Sequence, residues 1–393
     1  MTGTGRSDAV EVLCVNAGSS SLRVAGFRMG TGEARETFRG SVARIGSAAG
    51  ALRVSDEDGD PWREERGSWP DHAAALEALL AGPLASYVPD ALGHRVVHGG
   101  ASQTAPALLT PALREILATL VPLAPLHLPA NLAVADATLA RFPAVPQVAC
   151  FDTAFHARMP ETARRLAIPR CWDGAGVRRY GFHGLSCEHV VDLLAPAAAV
   201  RTIIAHLGAG ASATALRGDR SIWNSMGFTP CGGLPGGTRS GDLDPGLLLY
   251  WLRSGLDADA LEALVNTESG LHGIAGHHGD MGELLALRQQ DERAALAVEL
   301  FAQRVRMEIG ALAALLGGLD QLVFTGGIGQ GSPLIRSMIC DGLDHLGIVL
   351  SATANAAGDW RIDAPHARTP VWVLVADENR VIARHVHDYL ARR

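Results

Sequence analysis

The chain of 393 residues lacks the features that mark membrane and nucleic-acid proteins. No uninterrupted apolar run reaches the length of a bilayer span. The nearest, Ala294 to Leu316, is broken by Glu299, Arg304, Arg306 and Glu308 and predicts a long amphipathic helix. No basic run exceeds a pair, and a net charge of −7 leaves no cationic stripe for a nucleic-acid backbone. Residues 1–8 are polar and glycine-rich, without the apolar centre of a secretory signal. The six cysteines are scattered with no C-x-x-C pair, and Cys14 and Cys150 stand in apolar runs where a thiol serves as a small core hydrophobe. These absences predict a cytoplasmic protein without disulfides that binds neither nucleic acid nor membrane. The rest of the composition, 48% hydrophobic and 19% charged residues, is ordinary for a globular protein long enough for two domains.

Two stretches about 190 residues apart have the same plan. Val12-Leu13-Cys14-Val15 runs into Asn16-Ala17-Gly18-Ser19-Ser20-Ser21, and Ile203-Ile204-Ala205-His206-Leu207 runs into Gly208-Ala209-Gly210-Ala211-Ser212. A turn of small residues lets backbone N–H groups close on a phosphate. After each turn the chain reads as a returning strand, Leu22 to Phe27 in the first case and Ala213 to Leu216 in the second. The second loop matches G-x-G-x-x-A, but a dinucleotide fingerprint needs a helix next and an acid about 20 residues on. Here Gly218-Asp219-Arg220 turns the chain back, and Trp223-Asn224 occupies the acid's place. A repeated phosphate-gripping hairpin predicts a duplicated phosphotransferase with one loop per domain.

Strands and helices alternate elsewhere, which predicts an α/β core. Asp71 is expected to cap a helix through Leu80, and Thr110-Pro111 to open another. The strand Gln147–Phe151 is expected to deliver Asp152 at its carboxyl end. In the second half, helices are expected at Pro245–Ser254, at Asp257–Val265 and from Asp291. A strand at Gln321–Thr325 enters the glycine run Gly326–Gly331 ahead of a helix opened by Ser332-Pro333. Val371–Val375 is expected as a last strand and Glu378–Leu390 as a last helix. The Ala/Pro-rich stretch Ala195–Ala199 is expected to be a seam between the halves.

Several segments carry chemistry. His94-Arg95-Val96-Val97-His98-Gly99-Gly100 places an arginine, suited to a carboxylate or phosphate fork, beside glycines that admit a ligand. Arg239 follows a glycine-dense loop and is placed to clamp a phosphoryl group. Asp244 before Pro245 reads more simply as a helix cap. His183 lies between glycines ahead of a helix that Ser186 is expected to cap. His272, His277 and His278 lack a fixed metal-ligand spacing and are not expected to hold a metal.

Taken in order, Asn16–Ser21, Gly93–Gly100, Ala124–His127, Phe151–His156, Tyr180–Gly184, His206–Gly208, Met226–Pro230, Gly237–Gly241 and Phe324–Gly329 resemble the acetate kinase family over essentially the whole chain. These are short-chain carboxylate kinases of the actin/hexokinase type. The resemblance implies an α/β fold of duplicated actin-like (ribonuclease H-like) ATPase domains, each a central mixed sheet flanked by helices. The domains would be 1–153 and 154–376, with the helix 377–393 packing back on the first. It implies Mg²⁺-dependent transfer of a phosphoryl group from ATP to acetate, reversibly forming acetyl phosphate and ADP, in a homodimer. Asn16 and Glu378 match the positions that organise Mg²⁺ (or Mn²⁺). Arg95 matches the carboxylate-binding arginine, with Val97, Leu126, Phe182 and Pro230 around the substrate methyl. Asp152 matches the catalytic acid, and His183 and Arg239 the groups that stabilise the transition state. Arg23, the segment His206, Leu207, Gly208, Ala209, Gly210, the segment Asp280, Met281, Gly282, and the segment Gly327, Ile328, Gly329, Gln330, Gly331 match nucleotide-binding positions.

The chain departs from the family pattern chiefly on the donor side. Ala209 replaces an asparagine, Gly282 an arginine, Gly331 an asparagine and Arg23 a lysine, and Leu128 replaces an asparagine after His127. These changes open a second reading, with pyrophosphate or GTP as donor or propionate or butyrate as acceptor. A binding protein for acyl phosphates with little turnover is a third.

Overall fold

The computed structural model describes residues 9–30 and 34–392, so the polar opening segment 1–8 lies outside the described residues. The chain divides into two compact units: residues up to Ala154 together with those from Asp377 onward, and Phe155–Ala376.

In the first unit the strands are β1 (Val10–Ala17), β2 (Ser21–Met29), β3 (Arg35–Ala43), β4 (Gly50–Asp56), β5 (Pro61–Gly67), β6 (Ala91–Val96), β7 (Ala107–Leu108) and β8 (Gln147–Phe151). They form one sheet in the order β5-β4-β3-β2-β1-β6-β8-β7. β1, β2 and β3 are an antiparallel meander, while β6 runs parallel to β1 and β8 parallel to β6. In the second unit β9 (Arg201–Leu207), β10 (Ala211–Arg217), β11 (Arg220–Asn224), β12 (Gln321–Thr325) and β13 (Val371–Val373) lie in the order β11-β10-β9-β12-β13. Again a three-stranded meander opens the sheet, and β12 and β13 follow in parallel. The cores of the two sheets therefore match strand for strand in connectivity, β3-β2-β1-β6-β8 against β11-β10-β9-β12-β13. This is the mixed ribonuclease H-like sheet, present twice.

Local chemistry explains the flanking helices. Asp71 accepts from the N–H of Ala74 and opens the helix His72–Leu79, and Thr110 does the same for Pro111–Thr119 through the N–H of Leu113. Asp244 caps Pro245–Arg253 and Asp257 caps Ala258–Asn266. Asp291 accepts from two N–H groups at the start of Glu292–Leu316. That helix buries Ala294, Val298, Phe301, Val305, Ile309, Leu312 and Leu316, spaced three and four apart, as the core stripe of the second unit. No described helix is long and apolar enough to cross a membrane.

Three local expectations are corrected. The stretch Ala195–Ala199 is no seam: it lies inside the second unit, where Ala195 closes the helix Gly184–Leu194 in a left-handed conformation (φ 41°). Ser186 does not cap that helix, which already begins at Gly184; its hydroxyl is used elsewhere. The glycine run after β12 is itself a short helix, Gly326–Gly331, broken from Pro333–Cys340 by Ser332. Gly326 turns the chain at φ 78°, and a Cβ there would lie 2.5 Å from the carbonyl oxygen of Leu207, so only glycine fits.

Candidate active site

In each unit the polar side chains gather at the carboxyl ends of parallel strands, the edge where open α/β sheets bind ligands. In the first unit β1 ends on Asn16-Ala17, β6 on Arg95-Val96, and β8 hands the chain to Asp152. Arg95 grips Asp152 from the side, with Nε at 3.0 Å and Nη2 at 2.6 Å, while Nη1 donates to Oδ1 of Asn16 at 3.1 Å. The Asn16 amide donates in turn to Glu378 at 2.8 Å, and Glu378 stands 3.6 Å from Arg95. Glu378 opens the helix Glu378–Ala391, which packs across β1, β6 and β2 and is capped by Asp377.

Asp152 is buried, which pushes its carboxyl up to about 6; Glu378 adds to the rise and the Arg95 guanidinium opposes it. Burial by itself would lower Arg95, but Asp152 and Glu378 outweigh it and hold the guanidinium firmly charged. Of its five N–H donors, one on each terminal nitrogen is left for an anionic acceptor. Arg23 is paired across the hairpin with Asn16, so it shares that face, and it is exposed. Val97 is buried and Leu126 half-buried. Oxygen donors from one amide and two carboxylates, held by few protein groups, fit a hard divalent cation that keeps waters and phosphate oxygens as its other ligands.

The second unit repeats the scheme with different groups. β9 ends on His206-Leu207, and the loop Gly208–Gly210 returns into β10 with Ser212 opposite His206. The loop closes through the Gly208 N–H on the Gly210 carbonyl at 3.0 Å. The first hairpin closes likewise, from the Gly18 N–H to the Ser21 carbonyl at 2.8 Å. His183 adopts a left-handed backbone (φ 58°, ψ 30°) at the start of its helix, a strained position that surrounding contacts must hold. Its Nδ1 pairs with the Ser212 hydroxyl at 2.9 Å, and its ring stacks on His206 with centroids 4.1 Å apart. His206 Nδ1 pairs with the Ser186 hydroxyl at 2.8 Å. A Cβ placed on Gly210 would meet Arg239 Nη1 at 3.1 Å and His183 Nε2 at 3.5 Å, so a histidine and an arginine converge on the loop. Arg239 also donates to the Pro230 carbonyl at 3.3 Å. The loop carrying Arg239 is laced to the hairpin by the Gly237 N–H on the Ala209 carbonyl at 2.9 Å.

The remaining expected donor-side residues of the second unit have differing parts to play. Gly327 lies close to Gly208, its amide nitrogen 3.9 Å from where a Cβ on Gly208 would be. Gly327 and Gly331 are exposed, Ile328 packs partly on the core, Gly329 is buried and Gln330 half-buried. Asp280 caps the helix Met281–Leu287 through the N–H of Glu283; Met281 is buried in the core and Gly282 is exposed. Leu207 too is buried, so it and Met281 offer a ligand only backbone. Phe182 and Pro230 are buried. His277 and His278 pair with Asp291 and Glu283, and no cluster of three or more His, Cys, Asp or Glu suited to a metal occurs among the described residues.

Some organising residues had no local signature. Asn131 accepts from the Val97 N–H at 3.1 Å and donates to the Ala17 carbonyl at 2.9 Å, tying the ends of β1 and β6. Fully buried Arg336 donates to the carbonyls of Gly329 and Gln330 at 2.9 and 2.6 Å and so closes the glycine helix from behind. Both act on residues remote in sequence or out of helical phase, which pattern reading does not reach.

Two ribonuclease H-like sheets, each opening with a small-residue phosphate-type hairpin, with Arg95 at the strand ends of the first and His206, His183 and Arg239 around the hairpin of the second, have the make-up of a phosphotransferase-class protein. A model of the acetokinase family matches residues 11–384, and the chain belongs to that family. It is 42% identical over 389 residues to an acetate kinase of Rhodopseudomonas palustris, covering 95% of this chain and 97% of that one. It is 43% identical to an acetate kinase of Leifsonia xyli, covering 94% and 95%. Among solved structures it is similar to the acetate kinase of Porphyromonas gingivalis (35% identity, TM-score 0.83, 97% and 100% covered). It is also similar to a propionate kinase of Francisella tularensis (33% identity, TM-score 0.86, 96% and 99% covered).

Proposed function

We propose that this chain is an acetate kinase that transfers the γ-phosphoryl group of ATP to acetate, reversibly, giving acetyl phosphate and ADP. The observation that carries the reading is the convergence of His183 and Arg239 on the Gly208–Gly210 hairpin in a chain of the acetokinase family. Phosphoryl transfer needs positioning and charge neutralisation more than covalent help. Acceptor carboxylate and triphosphate repel each other. The two unused N–H groups of Arg95 suit the acceptor carboxylate, and Arg239 and the Nε2 side of His183 suit the charge that gathers on the transferring group. Val97, Leu126, Phe182 and Pro230 are assigned to the acyl methyl. Backbone N–H groups of the Gly208 and Gly327 segments are assigned to the nucleotide phosphates, and Asp280–Gly282 and Arg23 to the rest of the nucleotide.

Asn16, Glu378 and Asp152 would hold Mg²⁺, which supplies charge neutralisation at the phosphate oxygens. Asp152, ionised above about pH 6, also keeps Arg95 oriented. The protein is assigned to the cytoplasm as a homodimer, a reading supported by its free cysteines and by Leu249 and Tyr250, exposed on the helix Pro245–Arg253. Light scattering should return twice the chain mass of 41.2 kDa.

The direct test traps acyl phosphate with hydroxylamine while donor and acceptor are varied. ATP with acetate should give the highest turnover; no product with acetate, propionate or butyrate from any donor would overturn the reading. A second reading, a longer acceptor or another donor, is favoured by Ala209, Gly282 and Gly331 and by the likeness to a propionate kinase. One methylene changes selectivity only about 10- to 200-fold, so the same rates decide between them.

A further inference from the structure

Asn224, at the end of β11, is fully buried and spends its whole hydrogen-bonding capacity inside the second unit. Its Oδ1 accepts from the N–H of Phe182 at 3.3 Å and of Met226 at 3.0 Å. Its Nδ2 donates to the Phe182 carbonyl at 3.1 Å and to the Thr214 hydroxyl at 2.8 Å. An asparagine amide can make two acceptor and two donor bonds, so nothing is left for a ligand. The four bonds join β10 to two chain segments, Tyr180–His183 and Ser225–Pro230, that lie about 45 residues apart in sequence.

The neighbours make this joint rigid. Gly181 is at φ 75°, and a Cβ there would lie 2.9 Å from the Cβ of Asn224 and 2.8 Å from Cγ of His156. His156 Nε2 donates to the Phe182 carbonyl at 2.9 Å. Arg179 Nη1 gathers the carbonyls of Asn224, Ser225 and Met226, each within 3.0 Å. Phe182 therefore has both its amide and its carbonyl fixed by one side chain, immediately before the strained His183.

We propose that Asn224 is a positioning residue that fixes Phe182 against the Met226–Pro230 segment and thereby sets which acyl chain the enzyme accepts. This rests on the assignment of Phe182 and Pro230 to the acyl group. Replacing the amide by Asp puts an oxygen against the Phe182 carbonyl, so that bond is lost and repulsion takes its place, while the Thr214 hydroxyl must turn to donate; Thr keeps one hydroxyl in place of the amide.

The test measures kcat and KM for acetate, propionate and butyrate at saturating ATP, and KM for ATP, in wild type, Asn224→Asp and Asn224→Thr, with thermal melting as a control for folding. In the folded variants KM for acetate should rise about tenfold and the acetate-to-propionate ratio of kcat/KM should shift at least severalfold, with KM for ATP within about twofold. Should Asn224→Asp fail to fold, Asn224→Thr combined with Phe182→Leu decides. The double variant should shift acceptor preference no further than Phe182→Leu alone, because both act on one wall. Unchanged acceptor ratios, or additive shifts, overturn the role of Asn224. A wild type that turns over none of the carboxylates overturns the enzyme reading itself.

Discussion

The side chains that carry the proposed chemistry are held by bonds that fix orientation more than they add stability. Arg95 has three of its donors committed to Asp152 and Asn16, which fixes the plane of its guanidinium and leaves one donor on each terminal nitrogen. His183 has Nδ1 committed to Ser212, which turns Nε2 toward Gly210. Arg239→Ala should therefore lower kcat at least about 100-fold, on the order of 3 kcal/mol of lost transition-state stabilisation. Arg95→Ala should instead raise KM for the carboxylate as well as reduce turnover. Steady-state kinetics on both variants checks this, and mild effects from both would refute the assignment of these arginines. The residue types at these positions were legible in the sequence, because arginine and histidine flanked by glycine at strand ends are few. Asn131, Ser212 and Asn224 were not marked as site residues, because a buried polar side chain has meaning only through the partner that satisfies it, and those partners lie on other elements.

At the scale of elements, hairpins and caps followed local rules. The β1–β2 and β9–β10 hairpins turn where small residues permit, and Asp71, Thr110, Asp244, Asp257 and Asp291 cap the helices they precede. The local reading failed at Ser186 and at Gly326–Gly331. At Ser186 the hydroxyl is drawn to His206. The glycine run is wound into a helix by Arg336 behind it and by the close approach of Leu207. That approach makes Gly326 a tightly constrained turn. Gly326→Ala should cost about 2 kcal/mol or more, since the clash is with backbone and the φ is left-handed. Urea denaturation measures it, and a loss under about 0.5 kcal/mol would mean that the β12 turn relaxes freely.

Two properties belong to the whole molecule. Buried His94 in the first unit and His156 in the second are both pushed down to about 4 from 6.5, chiefly by burial. Between those values the unfolded chain binds the extra protons, so stability is full above about pH 6.5 and is lost as pH falls toward 4. Asp152 in the first unit and Glu308 in the second, both raised by burial, work in the opposite sense, but in the second unit Asp291 and Asp320, held low by His277 and Arg201, add to the loss. Hydrogen exchange should therefore show protection in Phe155–Ala376 eroding first as pH drops from 6.5 to 4, and His156→Gln should flatten that loss; equal erosion in both units would contradict this balance. The chain also contains no lysine: all 34 Lys and Arg positions are arginine. An acyl phosphate acylates free amines, so the enzyme offers its own product no ε-amine. Intact mass after incubation with acetyl phosphate should show no stable acetyl groups beyond the α-amino terminus; several amide-linked adducts would disprove it.

The repeated strand–turn–strand units, the helix caps, the core stripe of Glu292–Leu316 and the family pattern can be read along the chain, because each is written in residues close together in it. Which polar groups meet is settled by folding. The Arg95–Asp152–Asn16–Glu378 chain joins residues up to 362 positions apart. The stacked His183 and His206, and the four bonds of Asn224, depend likewise on the register of the antiparallel β9–β10–β11 meander and on the segment Tyr180–His183 that packs beside it. The two sheets share their connectivity while filling their strand ends with different chemistry. Hydrogen bonds satisfy buried polar atoms wherever the fold brings a partner, and that choice is made by packing rather than by sequence proximity.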